Sequence, residues 1–185
     1  MKRRSGILFL LALFLLQSVA SAFPNEPQGF RGMRWGESVA SVRDKKGEYG
    51  VQFYRKGKNA DVYYIVLKGS DCYLGDVFVD DLYAAFWQDK LYRTTAYISG
   101  NGSREKAAKR YAQLKDYATD SFGPPDEERR VNETTLEARW LGEQTRIILR
   151  HQDSREKLMV PCVILILYNP PLSAERQQSL RQIDW

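Results

Sequence analysis

The chain has 185 residues, with 28 lysines and arginines against 23 aspartates and glutamates, one histidine and two cysteines. That length suits a single domain, and four tryptophans, eleven tyrosines and eight phenylalanines supply a core, which excludes long disorder. The net charge of +5 overstates any case for nucleic acid: Lys2, Arg3 and Arg4 lie in a leader expected to be removed, leaving 25 basic residues against 23 acidic ones, a net of +2.

The chain opens with Met1-Lys2-Arg3-Arg4, runs from Ile7 to Leu16 without a polar residue, and reaches Ser18-Val19-Ala20-Ser21-Ala22. A basic start, a short apolar run and small residues at Ala20 and Ala22 predict a cleaved signal peptide over residues 1–22. A membrane-spanning helix needs roughly 20 apolar residues, and Gln17 interrupts this run too early. No cysteine follows it to carry a lipid. The mature protein is therefore expected to be periplasmic or secreted, with no stable membrane anchor.

Residues 23–171 are expected to form one α+β domain. Ser38 is a candidate N-cap for a short helix that buries Val39 and Val42 and ends near Gly47. Val51 to Tyr54 predicts a short strand, Gly57-Lys58-Asn59 a turn, and Val62 to Leu67 a strand covered on both faces. From Val77 to Trp87 the pattern alternates, with Leu82, Ala84 and Phe86 on one face and Tyr83, Ala85 and Trp87 on the other. Gln88-Asp89-Lys90 turns the chain into a return strand over Leu91 to Ile98.

The spacing of Ala107, Tyr111, Leu114, Ala118 and Phe122 predicts a long helix over Arg104–Phe122, with Ser103 capping its start and Gly123-Pro124 ending it. A charged loop should follow. Thr134 to Leu141 and Thr145 to His151 then pair as a hairpin, and an apolar strand begins near Cys162, because Pro161 lacks a donor N–H. Residues 172–185 read as a polar tail that forms at most a loose helix. The sum is an antiparallel sheet of about six to seven strands with one long and one short helix packed on it. Phe86-Trp87-Gln88-Asp89-Lys90-Leu91-Tyr92 resembles Arg139-Trp140-Leu141-Gly142-Glu143-Gln144-Thr145, which raises the option of two imperfect helix-plus-hairpin repeats.

Catalytic signals are sparse. A serine or cysteine nucleophile usually needs a histidine base, and His151, the one histidine, reads as a surface or strand-end residue. Two cysteines and one histidine leave a zinc site short of a ligand, and no cofactor is expected. Asp76, Asp80 and Asp81, with Asp71 and Asp89 nearby, form the one acidic group, at a spacing that matches no calcium loop. Gly29, Gly32 and Gly36 fit no phosphate-binding fingerprint; their use is a close backbone turn beneath Trp35. Cys72 and Cys162 either form a disulfide, closing a loop of about 90 residues, or remain two separate buried thiols. Tyr83, Trp87, Tyr92, Arg93 and Tyr97 interleave aromatics with charge and are the candidate binding residues, against the plain alternative that half of them face the core.

Two fragments carry a family likeness. Gly36-Glu37-Ser38 followed by Val42 resembles the start of the first helix in SmpA/OmlA (BamE-like) envelope proteins, and Phe122-Gly123-Pro124 resembles the end of their helical segment. The resemblance implies helices packed on an antiparallel sheet and an accessory or binding role in the cell envelope. The lipidated cysteine of that family is not found here. The sequence thus leads to a non-enzymatic binding module whose partner is an envelope protein or small ligand. The alternative is a small exported hydrolase or carbohydrate-active enzyme using Asp76, Asp80 and Asp81.

Overall fold

A computed structural model describes residues 23–57, 60–153 and 160–181. The predicted signal peptide, and the last four residues of the predicted tail, lie outside the described residues.

The protein is α+β, built on one antiparallel sheet of eight strands. A two-residue ribbon, β1 (Gly29–Phe30) with β2 (Met33–Arg34), opens the described chain. Helix α1 (Val39–Lys46) follows, and the Ser38 hydroxyl accepts the Ser41 N–H at 3.1 Å, the cap that the sequence predicts. Strands β3 (Val51–Lys56) and β4 (Asp61–Ile65) pair, then a 3-10 turn over Gly69–Cys72 leads into a small hairpin, β5 (Tyr73–Leu74) with β6 (Val77–Phe78). Strands β7 (Asp81–Trp87) and β8 (Lys90–Ser99) return to the main sheet. The run from Val77 to Trp87 is thus two elements, and Val79-Asp80 carries the chain between them.

Helix α2 (Arg104–Phe122) has the predicted bounds. The Ser103 hydroxyl accepts from Lys106 N at 3.2 Å, and Gly123 ends the helix at positive φ while its N–H donates to Thr119 O. The predicted stripe faces inward: Ala107, Leu114 and Ala118 are buried, and Tyr111 and Phe122 pack beside them. Then come β9 (Glu127–Asn132), β10 (Thr135–Leu141), β11 (Arg146–Gln152), β12 (Cys162–Tyr168) and helix α3 (Pro170–Arg181). The Asn169 side chain caps α3, accepting from Leu172 N at 2.9 Å.

The strand order is β3-β4-β7-β8-β12-β11-β10-β9. Each half is a helix followed by a four-stranded meander: α1 precedes β3, β4, β7 and β8, and α2 precedes β9 to β12. The two meanders join through their last strands, β8 against β12, with Ile98 opposite Val163 and Thr94 opposite Leu167. The two segments aligned in sequence are not equivalent in this arrangement. Trp87 to Lys90 turns the third strand of its half into the fourth, whereas Trp140 to Gln144 joins the second to the third.

One sheet face is the core. Leu82, Ala84, Ala96, Ile98, Val163, Leu165, Ile147, Leu149, Ala138 and Trp140 meet α2, the β5–β6 hairpin and the segment from Phe23 to Trp35. The Trp140 indole N–H donates to Gly123 O at 2.8 Å, which ties the end of α2 to β10. Trp35 is half-buried and donates to the Thr145 hydroxyl at 2.6 Å. Gly29 is required at its position, since a Cβ there would collide with the Met33 backbone across the β1–β2 turn.

Other expectations need correction. The segment from Glu127 to Asn132 is an edge strand rather than a loop: all six residues are exposed, yet they pair with β10. Strand β4 is not fully covered on either face: Val62 and Ile65 are buried, one on each side, while Tyr63 and Tyr64 are only partly covered. His151 is buried, near the Tyr111 ring at 5.9 Å, and its Nε2 has no hydrogen-bond partner. Cys72 and Cys162 are free thiols. Cys72 O accepts from Val79 N, Asp80 N donates to Tyr97 O, and Cys162 sits opposite Ser99, so the Val79–Asp80 segment and β8 run between the two thiols.

Candidate functional site: the open face of the sheet

The second face of the sheet has little cover among the described residues. Helix α3 reaches it at one end, where Leu172 packs on Val62, Ala85 and Tyr92, and the Arg176 guanidinium lies 5.3 Å from the Tyr92 ring centre. Most of the remainder is half-exposed. On the β12 and β11 side it carries Ile164, Ile166 and Ile148, all partly buried.

Period-two alternation puts Tyr64, Tyr83, Thr95 and Tyr97 on this face, because Tyr64 is opposite Tyr83, Tyr83 opposite Thr95, and Asp81 opposite Tyr97. Tyr54 joins them through an irregularity in β3: Phe53 pairs with Tyr63 and Arg55 with Val62, so Tyr54 is the extra residue. Tyr83 is the centre of the group. Its ring meets those of Tyr54 at 4.9 Å, Tyr64 at 5.6 Å and Tyr97 at 5.8 Å, each edge to face. This arrangement is attractive for aromatic quadrupoles and holds the rings in place. Burial raises the Tyr83 and Tyr64 phenols above their ordinary value, and the Asp81 charge adds to that, so both stay neutral donors at physiological pH.

Between these rings lies a hollow of about 370 Å³, lined by Tyr54, Arg55, Val62, Asp81, Tyr83, Arg93, Thr95 and Tyr97. Two guanidiniums and one carboxylate give it a net positive charge. Arg93 Nε is shielded from solvent with no hydrogen-bond partner, and its guanidinium rests 5.7 Å from the Tyr92 ring centre. The chemistry fits an anionic or hydroxyl-bearing group that stacks on tyrosine while Arg93 donates to it.

Farther along the same face, Glu137 is buried to 1% exposure beneath three arginines. Arg139 donates to Oε2 from Nε at 2.9 Å and Nη2 at 2.6 Å, Arg150 to Oε1 at 2.8 and 2.6 Å, and Arg129 to Oε2 at 3.3 Å. Burial by itself would raise the Glu137 carboxyl, but hydrogen bonds and charge from Arg139 and Arg150 outweigh it and hold it below the ordinary value. Glu127 also pairs with Arg139, at 3.7 Å, so two carboxylates against three guanidiniums leave this patch with a single positive charge.

Of the five candidate residues, the structure brings Tyr83, Arg93 and Tyr97 together. Tyr92 is buried, and Trp87 packs beside it in the cluster under α3. The reason is a bulge: Ala85 pairs with Arg93 and Phe86 with Leu91, so Tyr92 is extra and turns toward α3. Sequence reasoning missed Tyr54, Tyr64, Arg55, Thr95 and the Glu137 cluster. For Tyr64 the signal was present, since it aligns by alternation with Val62.

The acidic group does not converge. Asp76 is exposed in the β5–β6 turn, Asp80 accepts from Ser99 N at 2.7 Å, and Asp81 lines the tyrosine hollow. Asp71 pairs with Lys46 at 2.9 Å, and Asp89 accepts the Val39 N–H at the start of α1. Among the described residues no three histidine, cysteine or acidic side chains are grouped to hold a metal, and no helix is long and apolar enough to cross a membrane.

Compared with known proteins, the chain matches no family, no curated sequence and no solved structure.

Proposed function

We propose that the protein is an exported, non-enzymatic binding module of the cell envelope that recognises an acidic protein surface through the open sheet face. Residues 1–22 act as the signal peptide and are removed on export. The observation that carries this reading is the cluster of Tyr54, Tyr64, Tyr83 and Tyr97 beside a hollow that Arg93 also lines, on a largely open sheet face. Tyrosine and arginine are the side chains that dominate protein interfaces, because each joins a large contact area to a few directed hydrogen bonds. Arg55 and Arg93 in the hollow, and the arginines around Glu137, give the face a positive charge that steers an acidic partner.

The hydrolase reading finds less support. It needs two carboxylates that flank one reacting group, and Asp76, Asp80 and Asp81 do not converge: they lie in the β5–β6 turn, against Ser99 N and in the tyrosine hollow.

The reading is tested by retention of envelope proteins on the immobilised mature chain. A Tyr83→Ala, Arg93→Glu variant should lose an acidic partner by at least about 30-fold in affinity, the loss expected of a truncated interface anchor of ~2 kcal/mol. Equal retention by that variant and the parent would contradict it.

A further inference from the structure

A second, separate cavity lies under the covered face. It occupies about 240 Å³ between α2, the sheet, the β5–β6 hairpin and the Pro27–Arg31 segment. Its floor and walls are apolar: Leu114, Ala118 and Phe122 from α2, and Ile147, Leu149 and Leu165 from the sheet. An engineered apolar cavity of ~150 Å³ stays dry and takes up benzene, so this one has room for a larger apolar group. Protein interiors are otherwise close-packed.

The mouth differs from the floor. Leu74 closes one side, and the Gly75 turn lies against the Tyr117 ring so closely that a Cβ at Gly75 would sit 3.1 Å from it. Tyr117, Tyr73 and Phe78 are exposed around this hairpin, with the Tyr73 and Phe78 rings 5.5 Å apart. Arg31 lines the cavity and donates to Tyr73 O. Asp71 is shared between two cations, Lys46 at 2.9 Å and Arg31 at 4.0 Å. One carboxylate between two cations leaves positive charge at the rim.

We propose that this cavity binds the alkyl chain of a medium-length, single-chain carboxylate, with the chain between α2 and the sheet and the carboxylate at Arg31. Apolar walls of this size favour a flexible chain. The rim selects its head: an anion replaces the charge that Asp71 only half neutralises, whereas an ammonium meets Arg31 and Lys46. Tyr117, which lines the cavity, covers the first methylenes as they leave water. The site is independent of the open face, because α2 and the β5–β6 hairpin lie on the opposite side of the sheet.

The probe is octanoate, titrated into the mature full-length protein and followed by methyl NMR. Shifts are expected at Leu74, Leu114, Leu149 and Leu165, with Ile164 and Ile166 on the open face unmoved. Octylammonium should bind at least tenfold more weakly. Ala118→Leu, which fills the cavity from α2, should abolish octanoate binding while the protein melts at or above the parent temperature. Arg31→Met should weaken octanoate about tenfold and leave 1-octanol unchanged. Shifts centred on Ile164 and Ile166, equal binding of octylammonium, or no saturable shift in the parent protein would each overturn the proposal, and these readouts hold even if a variant fails to fold.

Discussion

Tyr83 touches three other tyrosines, and its position explains why some of the open face was legible in the sequence and some was not. Alternation along β7 and β8 is enough to put Tyr83 and Tyr97 on one side. It fails at Tyr92, because a bulge inserts one residue and a pattern of strict period two has no mark for it. Glu137 was invisible for another reason: a lone glutamate in a strand signals nothing until Arg129, Arg139 and Arg150 arrive from separate positions. Replacing it with alanine leaves three guanidiniums facing one another, and Glu137→Ala should lower unfolding stability in urea by about 3 kcal/mol. His151 gives a pH signature. Burial lowers its pKa below the ordinary 6.5, against the opposing charge of Asp153. The unfolded imidazole therefore binds a proton that the folded one resists, so stability is complete above about pH 6.5 and declines as pH falls from there toward the folded value. His151→Leu should flatten that decline between pH 6.5 and the carboxylate range. A slope unchanged by the substitution would show that His151 is not its source.

Elements with local signals were read closely. Helix α2 declares itself through an apolar stripe, a serine cap and a Gly-Pro stop, all within one stretch of chain. Ser103→Ala removes the bond to Lys106 N and should cost about 1 kcal/mol, checked by thermal melts. Strand β9 declares nothing, since Glu127-Glu128-Arg129-Arg130 lacks the apolar alternation of a half-buried strand. Its charges suit the edge of a sheet, where they discourage pairing with another chain. The opposite edge, β3, is less defended: Phe53 and Tyr54 are 58% and 56% exposed. The Gln88-Asp89 turn is a third case. Both residues hold positive φ, 48° and 57°, a conformation that asparagine and glycine adopt more easily. Asp89 is kept for its bond to Val39 N, so Gln88→Gly should raise stability by about 1 kcal/mol, read as a higher urea midpoint.

At the level of the whole molecule, the α+β class and a large antiparallel sheet were legible, while the number and order of strands were not. Contacts between β8 and β12 join residues some distance apart in the chain, and no composition or period encodes them. The order has a consequence for function. Two helix-plus-meander halves joined through their last strands make one eight-stranded surface, covered on one side by α2 and left largely open on the other. A shorter sheet would separate the tyrosine hollow from the arginines around Glu137; here they share a face. The most direct measurement is site-specific photo-crosslinking in the native envelope, with the reactive group at Tyr97 on the open face or at Lys109 on the solvent side of α2. Adducts to one protein from Tyr97, lost when Arg93→Glu is added and missing from Lys109, are the predicted result. Equal adducts from both positions, or adducts from Lys109 alone, would contradict the open face as the recognition surface.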